Sequence, residues 1–190
     1  FPQVRRVAIT VGAHHNFTEA EVVAIERFCA THDAVVFTDH TSGYRGKYEV
    51  NYSLVCGQKN FKSSLIEVDL LIHIGEVSGD CYKIHPKGVV WRVSEDGALR
   101  DTFRKLTNVF MMPEEIFFNY YSNDGENKIS YLEACQAEYQ NILNQMPEIP
   151  FGNIWMAKQM ASKLPPSCEL HMGIYNSLRS WNFFKLPEGI

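Results

Sequence analysis

Short apolar runs that stop at a glycine or a turn residue, several of them followed by a helix signal, constrain this chain more than any other feature. Residues 5–12 (RRVAITVG), 34–38 (AVVFT), 68–75 (VDLLIHIG), 88–93 (GVVWRV) and 107–112 (TNVFMM) are five such runs. They are rich in β-branched residues and apolar on both faces, which is how strands of a sheet covered on both sides read. After the first run, Thr18-Glu19-Ala20-Glu21 has the spacing of a capping box and opens a helix whose apolar stripe includes Val22, Ile25 and Phe28. Strands that alternate with helices predict an α/β fold, a Rossmann-like doubly wound parallel sheet of about six strands.

The remaining elements are read the same way. Residues 51–58 and 60–67 are each expected to form a short helix. Residues 114–121 form another, with Pro113 at its start. Residues 129–146 form one long helix and 154–164 the next, stopped by Pro165-Pro166. Residues 168–172 (CELHM), closed by Gly173, are expected to be the sixth strand. Pro147 and Pro150 mark a linker. The organisation expected is therefore a central α/β domain over 1–125, a helix and linker over 126–150, and the start of a further domain over 151–190. A chain opening on Phe1-Pro2 is expected to be an excised or renumbered segment.

Charge and cysteine content narrow the function classes. The 190 residues carry 18 basic and 22 acidic side chains, a net charge of −4 with no basic run, so nucleic acid is not an expected partner. No apolar stretch reaches the ~20 residues that span a bilayer. Five scattered cysteines without a C-x-x-C predict reduced thiols and a cytoplasmic protein.

No reactive constellation is legible. Gly12 sits where doubly wound folds cradle phosphate, but Gly12-Ala13-His14-His15-Asn16 lacks the other glycines of G-x-G-x-x-G, so a tight strand-to-helix turn is expected. His14-His15 is not expected to bind a metal, because neighbouring side chains diverge. Asp39 is read as a turn cap rather than a ribose ligand. In Gly75-Glu76-Val77-Ser78-Gly79-Asp80, Ser78 or Asp80 is expected to cap a helix. Cys81 near Lys83 is expected to be an inert thiol, and Asp124-Gly125 a surface turn. G-x-S-x-G, Walker and H-E-x-x-H motifs are absent from the sequence.

Five segments, in order, resemble the central domain of thiamine-diphosphate-dependent enzymes. The likeness is greatest to the menaquinone-pathway family of 2-succinyl-5-enolpyruvyl-6-hydroxy-3-cyclohexene-1-carboxylate synthases. VAITVGAHHNFTEAEVVAIERFC is similar to that family's opening strand, loop and helix. Thr38-Asp39-His40-Thr41-Ser42-Gly43-Tyr44-Arg45 resembles its D-P-L-S-G-L-R loop. VDLLIHIGEVSG resembles its third strand. Residues 91–97, with Arg100-Asp101, resemble its V-D-x-x-G-x-x-R-D segment. Residues 170–178 (LHMGIYNSL) are similar to its L-F-V-G-N-S-M-P-x-R motif.

The resemblance implies a scaffold domain followed by a truncated start of the diphosphate-binding domain at 151–190. The parent would decarboxylate 2-oxoglutarate and add the product to isochorismate, with thiamine diphosphate and Mg²⁺ as cofactors. Its partners would be the pyrimidine-binding and diphosphate-binding domains of the same polypeptide, in a dimer or tetramer. Asn176, Ser177 and Arg179 are the substrate-binding residues implied, with a helix cap as the alternative for Asn176 and Ser177. Arg100-Asp101 is expected to be a local pair. The family's adjacent basic residues correspond here to Cys81-Tyr82, and its arginine four residues beyond the serine corresponds to Trp181. These departures favour another 2-oxo-acid decarboxylase or lyase as the alternative parent. A self-standing nucleotide-binding α/β module is the third reading. This chain alone is expected to bind no cofactor and to be inactive.

Overall fold

The computed structural model describes residues 1–78, 84–124 and 127–187. Six strands, β1 (Val7–Val11), β2 (Val35–Thr38), β3 (Glu49–Asn51), β4 (Leu70–Ile74), β5 (Val89–Ser94) and β6 (Leu106–Met111), form one sheet. All pairs are parallel and the order is β3-β2-β1-β4-β5-β6. This is the doubly wound order, with its switch point between β1 and β4. β1, β2 and β4 are buried at every position, as their unbroken apolar runs require.

Helix α1 (Glu19–His32) starts at the predicted capping box. Thr18 accepts from the Glu21 N–H while the Glu21 carboxylate accepts from Thr18 N–H at 2.7 Å. Its buried Ala24, Ile25, Phe28 and Cys29 face the sheet, and Phe28 meets Phe118 edge-on. Phe118 belongs to α3 (Glu114–Tyr120), whose Phe117 packs on Trp91 of β5 and Phe110 of β6. The other side is covered by α2 (Ser53–Cys56) and α4 (Ser130–Asn144), whose Tyr131, Leu132, Cys135 and Tyr139 join the main core.

Asp33 ties the two ends of this arrangement together. It ends α1 in the left-handed conformation, φ 49°. Its carboxylate then accepts hydrogen bonds from Ser130 Oγ and, at 3.1 Å, from Tyr131 N at the start of α4. A carboxylate on an unpaired helix N-terminus is favourable. Asp33→Ala loses both bonds and leaves alanine at positive φ. We expect a cost of about 2 kcal/mol by urea denaturation, and under about 1 kcal/mol for Asp33→Asn, which tolerates the backbone and keeps an acceptor.

Four stretches differ from the sequence expectation. Residues 168–172 are not a strand; the sixth strand is β3, in a stretch where helix was expected from residue 51. Pro165 and Pro166 lack N–H groups, and Ser167 adopts φ 62°, so the segment turns away across the sheet's carboxyl edge instead of joining an edge strand. The expected helix over 51–58 shrinks to α2, and 60–67 contains no helix. Beyond α4, α5 (Asn153–Met160), a 3₁₀ turn (Ala161–Lys163) and α6 (Asn176–Trp181) pack around a second small cluster of Ala157, Ala161 and Phe184. Among the described residues no helix is long and apolar enough to cross a membrane.

Candidate functional site

In open α/β sheets, ligand sites lie beyond the carboxyl ends of the strands. Here that edge carries the loops after β1, β2 and β4. At the switch point the mouth of the crevice is closed. Ala13 and Glu76 exchange two backbone hydrogen bonds of 2.9 Å, and Gly12 N donates to Ile74 O at 2.9 Å. A Cβ on Gly12 would lie 1.6 Å from Glu76 O, so the glycine serves backbone approach between two loops, not phosphate binding.

The loop after β2 is built by a polar turn. Asp39 Oδ1 accepts from Thr41 N at 2.7 Å and from Thr41 Oγ1 at 2.6 Å, the turn-capping role expected of it. Ser42 Oγ accepts from Asp39 N and donates to Val11 O, both in buried surroundings. The turn presents His40 to the end of the chain. His40 N donates to Asn182 Oδ1 at 3.1 Å, and its Nε2 lies 3.0 and 3.1 Å from the carbonyls of Trp181 and Phe184. Burial pushes the His40 pKa down, and the Arg45 charge adds to this; the ring is a neutral donor at pH 7.

Between this edge and the 167–172 segment lies a cavity of about 530 Å³. His14, Asn16, His40 and Arg45 line one side and Cys168, Glu169 and His171 the other. It adjoins a second cavity of about 680 Å³, which shares His40, Arg45 and Leu186 and adds Lys47, Glu49 and Lys185. The combined groove carries more basic than acidic groups.

His14 and His15 do not converge on a metal. Their rings lie 4.1 Å apart, tilted by 33°, His14 Nε2 lies 3.1 Å from the Glu114 carboxylate, and His15 is exposed. Burial lowers the His14 pKa, but the hydrogen bond and charge of Glu114 outweigh it and the net shift is upward.

Asn176, Ser177 and Arg179 lie together on the first turns of α6, and none of them lines the groove. Nor do Asn176 and Ser177 cap that helix. Tyr175 is the N-cap residue and makes no side-chain cap bond. Asn176 and Arg179 are exposed. Arg100-Asp101 is not a local pair. Arg100 pairs with Glu76 and with Asp96, while Asp101 Oδ1 accepts from Lys105 N and Leu106 N. The expectations for Asp80, Cys81, Lys83 and Gly125 fall outside the described residues; Asp124 is exposed and pairs with Arg27.

Among the described residues, no three His, Cys, Asp or Glu side chains are placed to hold a metal. The one Asn-Asp-Gly stretch begins at Asn123, whose backbone is engaged by Thr31 at the end of α1.

A pair of residues missed at the sequence level stands out: His73 of β4 and Arg92 of β5. They are register partners, 0% and 1% exposed. Their signal was available, since His73 is the one polar side chain of β4 and Arg92 the one charged side chain of β5.

No family model matches the chain. It is 24% identical over 106 residues to the 2-succinyl-5-enolpyruvyl-6-hydroxy-3-cyclohexene-1-carboxylate synthase of Phocaeicola vulgatus, a match covering 56% of this chain and 19% of that protein. It is 25% identical over 109 residues to the synthase of the same name from Bacteroides fragilis (strain YCH46), again with 56% and 19% covered. The chain is thus similar, over more than half its length, to a stretch making up about a fifth of the curated synthases it matches.

Proposed function

We propose that this chain is the central scaffold domain of a thiamine-diphosphate-dependent enzyme of the 2-succinyl-5-enolpyruvyl-6-hydroxy-3-cyclohexene-1-carboxylate synthase type, with residues 151–190 opening the diphosphate-binding domain. The observation that carries this reading is the contrast between the two ends of the molecule. The sheet is complete without the 168–172 segment. Meanwhile Phe151 (81% exposed), Met156, Met160, Ile174 and Tyr175 (72% exposed) leave apolar surface on the last third of the chain. Exposed large apolar side chains of this kind are read as surface to be covered, and the cover proposed is the remainder of the diphosphate-binding domain. The partial matches to the synthases support the same reading.

In such an enzyme the cofactor supplies the ylid and the protein supplies orientation and charge. This chain's share would be positional. His40 and Asn182 fix α6 against the sheet edge. Asn176, Ser177 and Arg179 would then be presented toward carboxylates of the 2-oxoglutarate and isochorismate-type substrates, in a dimer or tetramer with the pyrimidine-binding domain. The closed switch point gives no support to a nucleotide-binding module.

Sequencing the reading frame on both sides of this segment tests the proposal. We expect a pyrimidine-binding domain with a cofactor-activating glutamate upstream and a Gly-Asp-Gly…Asn element downstream. A frame holding neither overturns it. For the isolated chain, calorimetry with thiamine diphosphate and Mg²⁺ should give no heat of micromolar binding. A micromolar Kd would place the cofactor site within these residues and refute the scaffold assignment.

A further inference from the structure

We infer that the carboxyl ends of β4 and β5 form a binding site for a small carboxylate, with Arg92, Arg100 and His73 as the receiving groups and Glu76 as the chain's own stand-in for the ligand. The site is separate from the groove and from α6, and it does not depend on the proposed function.

The parallel register sets His73 beside Arg92 on one face of the sheet. Both side chains are buried, yet neither ring nitrogen of His73 nor Nε of Arg92 has a partner among the described residues. Burying unpaired donors is unfavourable, and leucine would fill either position without that cost. Two adjacent orphans therefore mark a place where a partner is missing. Phe103 closes one side, edge-on to His73 with ring centroids 5.5 Å apart. Arg100 and Glu76, which pair with each other beside Arg92, are 36% and 55% exposed in their side chains.

Glu76 shows what the site accepts. One carboxylate oxygen pairs with Arg100, while the other stops 3.6 Å from Arg92 Nη2, outside hydrogen-bond range. Its backbone is fixed by the bridge to Ala13. Arg92 is in turn oriented by a 2.9 Å bond from Nη1 to Gly75 O, and Arg100 by Asp96 at 3.3 Å. Two oriented guanidiniums suit a planar carboxylate. A free one, not tethered to β4, can close the gap that Glu76 leaves, and the neutral His73 ring behind can take up a further bond.

The test is titration of the 190-residue chain with malonate and with acetate, against sodium chloride at matched ionic strength. Binding is read from the Arg92 Nε–H and His73 ring signals in NMR spectra and from the thermal midpoint. We expect both signals to move and the midpoint to rise with malonate but not with chloride. Glu76→Gln removes the internal competitor and should tighten malonate binding about tenfold; Arg100→Gln should weaken it by a similar factor. Glu148→Gln, an equal charge change on an exposed residue outside both this site and the groove, should leave it unchanged. Signals that stay fixed in the parent protein at saturating malonate overturn the inference, whether or not Glu76→Gln folds. So does a Glu76→Gln protein that binds no better than Glu148→Gln.

Discussion

Gly12→Ala is expected to be among the most damaging single-methyl changes in this molecule. The added carbon would sit 1.6 Å from Glu76 O and 2.7 Å from Glu76 C, both backbone atoms with no freedom to swing aside. Relief requires the loops after β1 and β4 to part. That breaks the two Ala13–Glu76 bonds and the Gly12–Ile74 bond. Three backbone bonds at ~1 kcal/mol each, with overpacking added, give a loss of about 4 kcal/mol. Against a typical domain stability of roughly 5–15 kcal/mol, that is a large fraction of the whole. Urea denaturation measures it. Gly173→Ala is the control, because its Cβ would meet only Ser177 Oγ at 3.8 Å; it should change stability by less than about 0.5 kcal/mol. Equal effects at the two positions would mean that the loops are not locked together.

The second large effect is acid destabilisation through His73. Burial drives its pKa from 6.5 down to about 4, and the charges of Arg92 and Arg100 push the same way. The folded pKa lies below the unfolded one, so the unfolded chain takes up the proton first as the pH falls. Stability from this group is whole above about pH 6.5 and is lost progressively down to about pH 4, below which no further change comes from it. A shift of this size corresponds to about 3 kcal/mol. His73→Leu removes the titration and the orphaned nitrogens together. The variant should be at least as stable as the parent at pH 7, and its acid loss should be smaller by about 3 kcal/mol. His32 and His40 are also shifted down and His14 up, but they titrate alike in both proteins, so the difference isolates His73. Parallel pH profiles would rule the mechanism out.

Most of the sheet was legible because its strands announce themselves locally. Val7–Val11 and Val35–Thr38 are continuous β-branched or apolar runs, Leu70–Ile74 is broken only by His73, and no other described element buries such a run on both faces. Glu49–Asn51 has a single apolar residue. It is a strand only because Thr38 and its neighbours offer it a ladder, with Glu49 tied to Thr38 Oγ1 at 3.1 Å, and that information is tertiary. The 168–172 segment errs the other way: it alternates like a strand but has no ladder to join. At the candidate site, the Asp39 turn and the Gly12 approach could be read from residue types. The meeting of His73 with Arg92 needs the β4–β5 register, and the clamp on Glu76 needs the loop path as well. Spacing along a chain encodes neither.

The central position of β1 has a consequence in time. Its neighbour on one side, β2, follows within the same stretch of chain, but its other neighbour, β4, lies far downstream; the Arg6 to Asp69 bond beside that seam spans 63 residues. A chain emerging from the ribosome can assemble the β3-β2-β1 half while the opposite flank of β1 waits with its backbone groups unpaired. Closing so long a loop comes late and slowly in parallel sheets. The interval before β4 arrives is therefore when this polypeptide is most open to misassociation.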